Sequence, residues 1–260
     1  MQKFRIDIPE SVLDDLRERL GRTRYPDEIA GADWSYGTDL AYLRELVDYW
    51  RSGYDWRKWE AVLNGFDQFK ADVDGIEMHF IHVRSKHDDA LPLLITHGWP
   101  GSVFEFHKII GPLTDPESHG GSAADAFHVV CPSMPGYGWS QAPREPGFDV
   151  QHVATWHSRL MARLGYERYM AQGGDWGAIT SAYIGRDDPD HCCGVHVNMV
   201  LGFPPENDPN AFDGLTEQDL ANFAAVTEFF QKEAGYQQIQ GTKPQTLGYG
   251  LNDSPAGLCA

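Results

Sequence analysis

The stretch Leu91-Pro92-Leu93-Leu94-Ile95-Thr96 offers water no polar side chain until its last residue. A strand without alternation is buried on both faces, as in a parallel sheet covered by helices. Phe127-His128-Val129-Val130-Cys131, Tyr169-Met170-Ala171 and Val195-His196-Val197-Asn198-Met199-Val200 repeat the idea. Between them, Val153, Trp156, Leu160, Met161 and Leu164 recur at helical spacing, and Gly165 closes that helix. Strands alternating with helices make right-handed βαβ units. Ahead of them, Phe69–Val73 and Ile76–Val83 flank Asp74-Gly75, a two-residue hairpin turn. The fold class is therefore α/β, with a mostly parallel sheet.

The leading sixty-odd residues read as helices. Val12, Leu13, Leu16 and Leu20 share one face, with Gly21 as the stop; a second helix runs from a Thr38 cap through Leu40, Leu43, Val47 and Trp50. Trp56, Trp59 and Leu63 mark a third. Trp34, Tyr36, Tyr42, Tyr49, Trp50 and Trp56 are assigned to packing, the ordinary use of aromatics at such spacing. Past Val200, the residues Pro204, Pro205, Asn207, Pro209 and Asn210 read as a linker. A helix then starts at Thr216, with Asp219 completing a capping pair and Leu220, Phe223, Val226 and Phe230 on one side.

The 260 residues carry 21 Lys and Arg against 38 Asp and Glu, a net charge of −17. So acidic a surface repels phosphate backbones and anionic bilayers, which excludes nucleic acid and membrane as partners. No signal peptide and no spanning apolar run is visible. Cys131, Cys192, Cys193 and Cys259 lack metal or redox spacing and read as free thiols, so a cytoplasmic location is expected.

Chemistry concentrates in three loops. Gln172-Gly173-Gly174-Asp175-Trp176-Gly177-Ala178 lies between a predicted strand and a helix from Trp176 to Arg186. Small residues two before and two after the centre permit the sharp turn that exposes a nucleophile, here Asp175. An isolated Asp-x-Gly reads first as a helix N-cap, and only its surroundings favour a nucleophile. Thr96-His97-Gly98-Trp99-Pro100-Gly101-Ser102 follows the apolar strand, where α/β sheets place ligands and where amides can form an oxyanion hole. His97 on its own reads as a packed histidine rather than a base. Pro132-Ser133-Met134-Pro135-Gly136-Tyr137-Gly138-Trp139-Ser140 is the third loop.

In this order the loops resemble the α/β-hydrolase fold, specifically the microsomal-type epoxide hydrolase family. The leader from Phe4 to Phe66 is similar to that family's N-terminal region; Gly235-Tyr236-Gln237-Gln238-Ile239-Gln240-Gly241-Thr242-Lys243-Pro244 and Leu251–Leu258 are similar to its cap. The resemblance implies an N-terminal region over residues 1–90, a hydrolase core over 91–203 and the start of a cap over 204–260. It implies Asp175 as nucleophile, the Trp99 and Trp176 amides as oxyanion hole, and Tyr236 as one of two phenols that protonate the epoxide oxygen. An apolar epoxide and water are the expected substrates, with no metal and no organic cofactor. A carboxylate with a pKa of about 3.9 needs no base for the attack, and a phenol of about 10 can protonate the alkoxide.

The family's base is a His on a late loop oriented by a carboxylate, and no His follows His196 here. His191 and His196 come too early for that role. The chain is expected to stop within or just after the cap, with the second phenol and the last strands beyond Ala260. Pairing with a missing segment, or self-association, is expected. Two alternatives are a haloalkane-type dehalogenase using the same Asp, and a non-catalytic binder of hydrophobic ligands.

Overall fold

A computed structural model describes residues 1–200, 202, 209–210 and 212–260. Its strands are β1 (Gln2–Phe4), β2 (Gln68–Val73), β3 (Ile76–Val83), β4 (Leu91–Thr96), β5 (Phe127–Pro132), β6 (Tyr169–Gly173) and β7 (Cys192–Val197). Its helices are α1 (Glu10–Gly21), α2 (Leu40–Ser52), α3 (Trp56–Leu63), α4 (Ile110–Thr114), α5 (Val150–Arg163) and α6 (Trp176–Asp187), then α7 (Glu217–Glu233), α8 (Gly235–Thr242), α9 (Pro244–Asp253) and α10 (Pro255–Cys259). No described helix is long and apolar enough to cross a membrane.

The residues divide into two compact units. The first, Met1–Asp7 with Arg57–Gly202, holds one sheet of order β1-β2-β3-β5-β4-β6-β7. β1, β2, β3 and β5 pair antiparallel in succession, whereas β5, β4, β6 and β7 are mutually parallel. This is the α/β-hydrolase architecture. β4 sits between two parallel neighbours, and Leu94 is inaccessible there, as an unalternating run requires. Phe80, Val130, Leu160, Met161 and Ile184 complete a core between the sheet, α5 and α6.

Four local expectations are corrected. The leader is not helical throughout, because β1 pairs Phe4 with Gln68 at the edge of the sheet. β7 begins at Cys192, three residues before the expected Val195, because its register is fixed by Tyr169 opposite Cys192. Asp39 rather than Thr38 caps α2, its carboxylate taking the Tyr42 N–H at 2.7 Å. And Trp34, Tyr36, Tyr42 and Tyr49 are exposed, Tyr36 at 83%; Trp34 and Tyr42 pack on each other rather than into a core.

The second unit combines Ile8–Trp56 with the described part of 203–260. Leu20, Leu43, Val47 and Ala256 form its core, so α10 packs with α1 and α2. Thr216 caps α7 in a reciprocal pair with Asp219, as expected, yet Leu220, Phe223, Val226 and Phe230 are each about half exposed. Most of the proline-rich linker lies outside the described residues.

Candidate active site

Each of the three loops leaves the carboxyl end of a parallel strand. Asp175 follows β6 at φ 51° and ψ −128°, a conformation few side chains adopt, and α6 begins one residue later. That places Asp175 in the N-cap position, but its side chain makes no cap bond to α6. It turns away instead: Oδ1 accepts the Trp99 N–H at 2.9 Å. The carboxylate is thus aimed across the sheet's edge at the loop after β4.

Close packing produces this turn. A Cβ on Gly177 would collide with the Thr96 carbonyl, so the first turn of α6 rests directly on the end of β4. A Cβ on Gly98 would collide with the Asp175 side chain. Both glycines therefore exist for approach distance rather than flexibility.

The β4 and β5 loops are joined from below. His97 is buried, its Nδ1 donating to the Gly98 carbonyl at 3.0 Å and its Nε2 accepting the Met134 N–H at 3.1 Å. Burial holds its pKa below the ordinary histidine value. With both nitrogens engaged, His97 is a neutral strut, in keeping with the packed reading.

Two side chains that the motifs do not single out join the site. Tyr137 packs edge-on against His97, ring centroids 5.3 Å apart. Burial first, then the charge of Asp175, raises its phenol pKa. Glu105, on the short turn Val103–Phe106, has its carboxyl pKa raised by the same two causes in the same order. The one available signal for Glu105 was its spacing from Ser102, Ser-x-x-Glu, a capping pattern.

Of the expected site residues, Asp175, Trp99 and Trp176 come together at this edge. Trp176 is the first residue of α6 with its side chain exposed. Tyr236 belongs to the second unit, in the first turn of α8, where its hydroxyl accepts from Gln237 Nε2 at 3.0 Å. His191, bonded to Asp188 at 2.6 Å, lies at the opposite end of β7 from Asp175's loop, beside the start of that strand. No cluster of described residues is arranged to hold a metal ion.

Comparison with known proteins gives a consistent result. Residues 1–106 match the model of the epoxide hydrolase N terminus, and residues 92–253 match that of the alpha/beta hydrolase fold. A putative epoxide hydrolase of Stigmatella aurantiaca is 48% identical over 257 residues, covering 99% of this chain and 58% of its own length. The crystal structure of juvenile hormone epoxide hydrolase from the silkworm Bombyx mori superposes on the whole chain with a TM-score of 0.89 at 36% identity, over 64% of its own length. The structure of Aspergillus niger epoxide hydrolase does so with a TM-score of 0.88 at 31% identity, over 67% of its length. The chain thus spans about three fifths to two thirds of the proteins it matches.

Proposed function

Because this chain belongs to the epoxide hydrolase family of the α/β-hydrolase fold, we propose that it opens an apolar epoxide through an ester on Asp175. The observation that carries the reading is the Trp99 N–H held 2.9 Å from Asp175 Oδ1 on a turn that withholds the carboxylate from its own helix. One Asp175 oxygen attacks an epoxide carbon, and the C–O bond of the ring breaks. The electron pair stays on the epoxide oxygen, which takes the Tyr236 phenol proton. The product is a neutral hydroxyalkyl ester, and the phenolate later regains its proton from solvent.

Hydrolysis of that ester needs water, a base to deprotonate it and donors for the tetrahedral oxyanion. The Trp99 and Trp176 amides are the proposed donors; preorganised amides of this kind contribute about 3 kcal/mol each to such steps. His97 does not serve as base, since its Nδ1–H is spent on Gly98 and its Nε2 on Met134. Water activation is assigned to a late-loop His of the family pattern, which the sequence through Ala260 does not contain. The ester on Asp175 is the intermediate that this reading requires.

Intact-mass spectrometry after incubation with a styrene-type epoxide tests this. One adduct per chain, mapped to the peptide containing Asp175, is expected in wild type and none in freshly purified Asp175→Asn. Tyr236→Phe should form the adduct about 10²–10⁴-fold more slowly, the usual contribution of a positioned proton donor. An adduct on Asp175→Asn would remove Asp175 from the role, and a wild-type rate in Tyr236→Phe would remove Tyr236.

A further inference from the structure

A cavity lies at the end of the sheet away from Asp175. β3 runs antiparallel to β5, with Phe80 opposite Pro132 and Val83 opposite Val129. The close of β3 is therefore beside the start of β5, whereas the loop that carries Tyr137 leaves the finish of β5. There α5 and the β2–β3 hairpin border a space of about 700 Å³, within the range of small-molecule sites.

Its walls follow from strand parity and from the way α5 ends. Phe69 and Ala71 share one face of β2, and Phe69 stacks on Phe80 of β3 with ring centroids 5.8 Å apart. Leu160 and Leu164 pack onto this face from the last turns of α5. Gly165, at φ 82°, then reverses the chain. Tyr166 returns over the sheet, its hydroxyl 2.8 Å from His82 Nε2. Burial, and then the positive charge of Arg84, push the His82 pKa down to about 4, so this wall of the cavity is neutral at pH 7.

Two cations border the same space. Arg84 follows β3 and Arg163 ends α5, and both are exposed. Among the described residues, neither guanidinium has an ion-pair or hydrogen-bond partner. Asp67, the acid among the lining residues, lies 4.0 Å from Lys3. Its place in the last turn suits Arg163 to the negative end of its helix, but Arg84 has no such use. An apolar trough bordered by two unpaired guanidiniums complements an anion with an apolar body. A monoanion suits it better than a phosphate dianion, which gives up more hydration beside apolar walls. We propose that this cavity binds a small amphipathic monocarboxylate, its carboxylate taken by Arg84 and Arg163 and its apolar body laid on Phe69 beside Leu160 and Leu164. The site is independent of the reaction proposed for Asp175.

Octanoate is the probe, titrated by NMR into the 260-residue chain near neutral pH and located by nuclear Overhauser contacts. A Kd of about 1 mM or tighter is expected for a ligand of about ten heavy atoms, and no binding at about 10 mM would overturn the proposal. Contacts should run from the octanoate chain to the Phe69 ring and the Leu164 methyl groups. Octan-1-ol keeps the chain and loses the charge, while inorganic phosphate does the reverse; each should bind about tenfold more weakly than octanoate. The double variant Arg84→Gln, Arg163→Gln should weaken octanoate by about tenfold, the scale of a lost charge-assisted hydrogen bond, and leave octan-1-ol unchanged. Lysine at both positions should restore part of the affinity. Octanoate contacts to Trp99 or Tyr137 in place of Phe69 would overturn the proposal. Equal binding of octan-1-ol or of phosphate, or undiminished octanoate binding by the glutamine variant, would do the same. The wild-type contacts and the octan-1-ol comparison need no variant, so they decide the matter even if the substituted chain fails to fold.

Discussion

Asp175 is held at a φ that costs a non-glycine residue about 1–3 kcal/mol. The fold carries that strain because Gly98, the Trp99 amide and the first turn of α6 leave the side chain one direction to point. Asp175→Gly should therefore raise thermal stability, by about 1 kcal/mol once the lost Trp99 hydrogen bond is set against the relieved strain, while ending ester formation. Calorimetry on the variant checks the first part and mass spectrometry the second; a destabilised Asp175→Gly would mean that the turn is unstrained. Strain of this kind leaves no trace in a residue string. Asp175 was legible because small residues at Gly173 and Gly177 announce the turn, whereas Glu105 and Tyr137 were not. Their places beside Asp175's loop depend on which loops meet, and that is a property of the sheet order.

At the scale of elements, β4 was readable to the residue because an apolar run bounded by Thr96-His97-Gly98 has few other uses. The hairpin was equally plain, with Val73 opposite Ile76 across Asp74-Gly75. β7 was misplaced since Cys192-Cys193-Gly194 lacks β-branched or aromatic residues, and its start is set by the neighbour β6 rather than by its own composition. The exposed aromatics of the leader show the same limit: helical spacing identifies a face but not what covers it. Contact between α6 and β4 gives a sharper test of element packing. Gly177→Ala places a methyl group against the Thr96 carbonyl with nothing flexible to yield, so it should destabilise the chain by about 1–3 kcal/mol. Urea unfolding reads this directly, and an unchanged midpoint would show that α6 can slide away from the strand without penalty.

For the molecule as a whole, pH acts through histidines that the core keeps neutral. His79 is fully buried, its ring between Ser133 Oγ and Gln68 Oε1 at 2.9 Å each, and burial pushes its pKa down to about 3. His157, bonded to Thr96 Oγ1 at 3.2 Å, is likewise pushed down to about 3. Both folded values lie below the unfolded value near 6.5, so the unfolded chain binds more protons between those limits. Stability is then fully present above about pH 6.5 and is lost as pH falls toward 3. At pH 5 each histidine should cost about 2 kcal/mol relative to pH 8. Denaturant midpoints at the two pH values check this, and a midpoint independent of pH over that range would contradict it.

The mixed sheet also implies a schedule. Its β2–β3 half is joined by two residues, so those strands can meet as soon as the chain collapses, on the microsecond scale of hairpins. The β4–β6 pairing must wait for both crossovers, because β6 enters beside β4 only after β5 and α5 have been laid down between them in the chain. Asp175 lies at the very end of that late pairing, one turn beyond Gly173 opposite Thr96. Asp175 should thus be among the last groups to reach its native geometry, so that a refolding chain acquires its hairpin well before Asp175 meets the Trp99 amide. Pulsed hydrogen exchange during refolding would show β2 and β3 amides protected ahead of those of β6. Simultaneous protection would show that the sheet closes in one step.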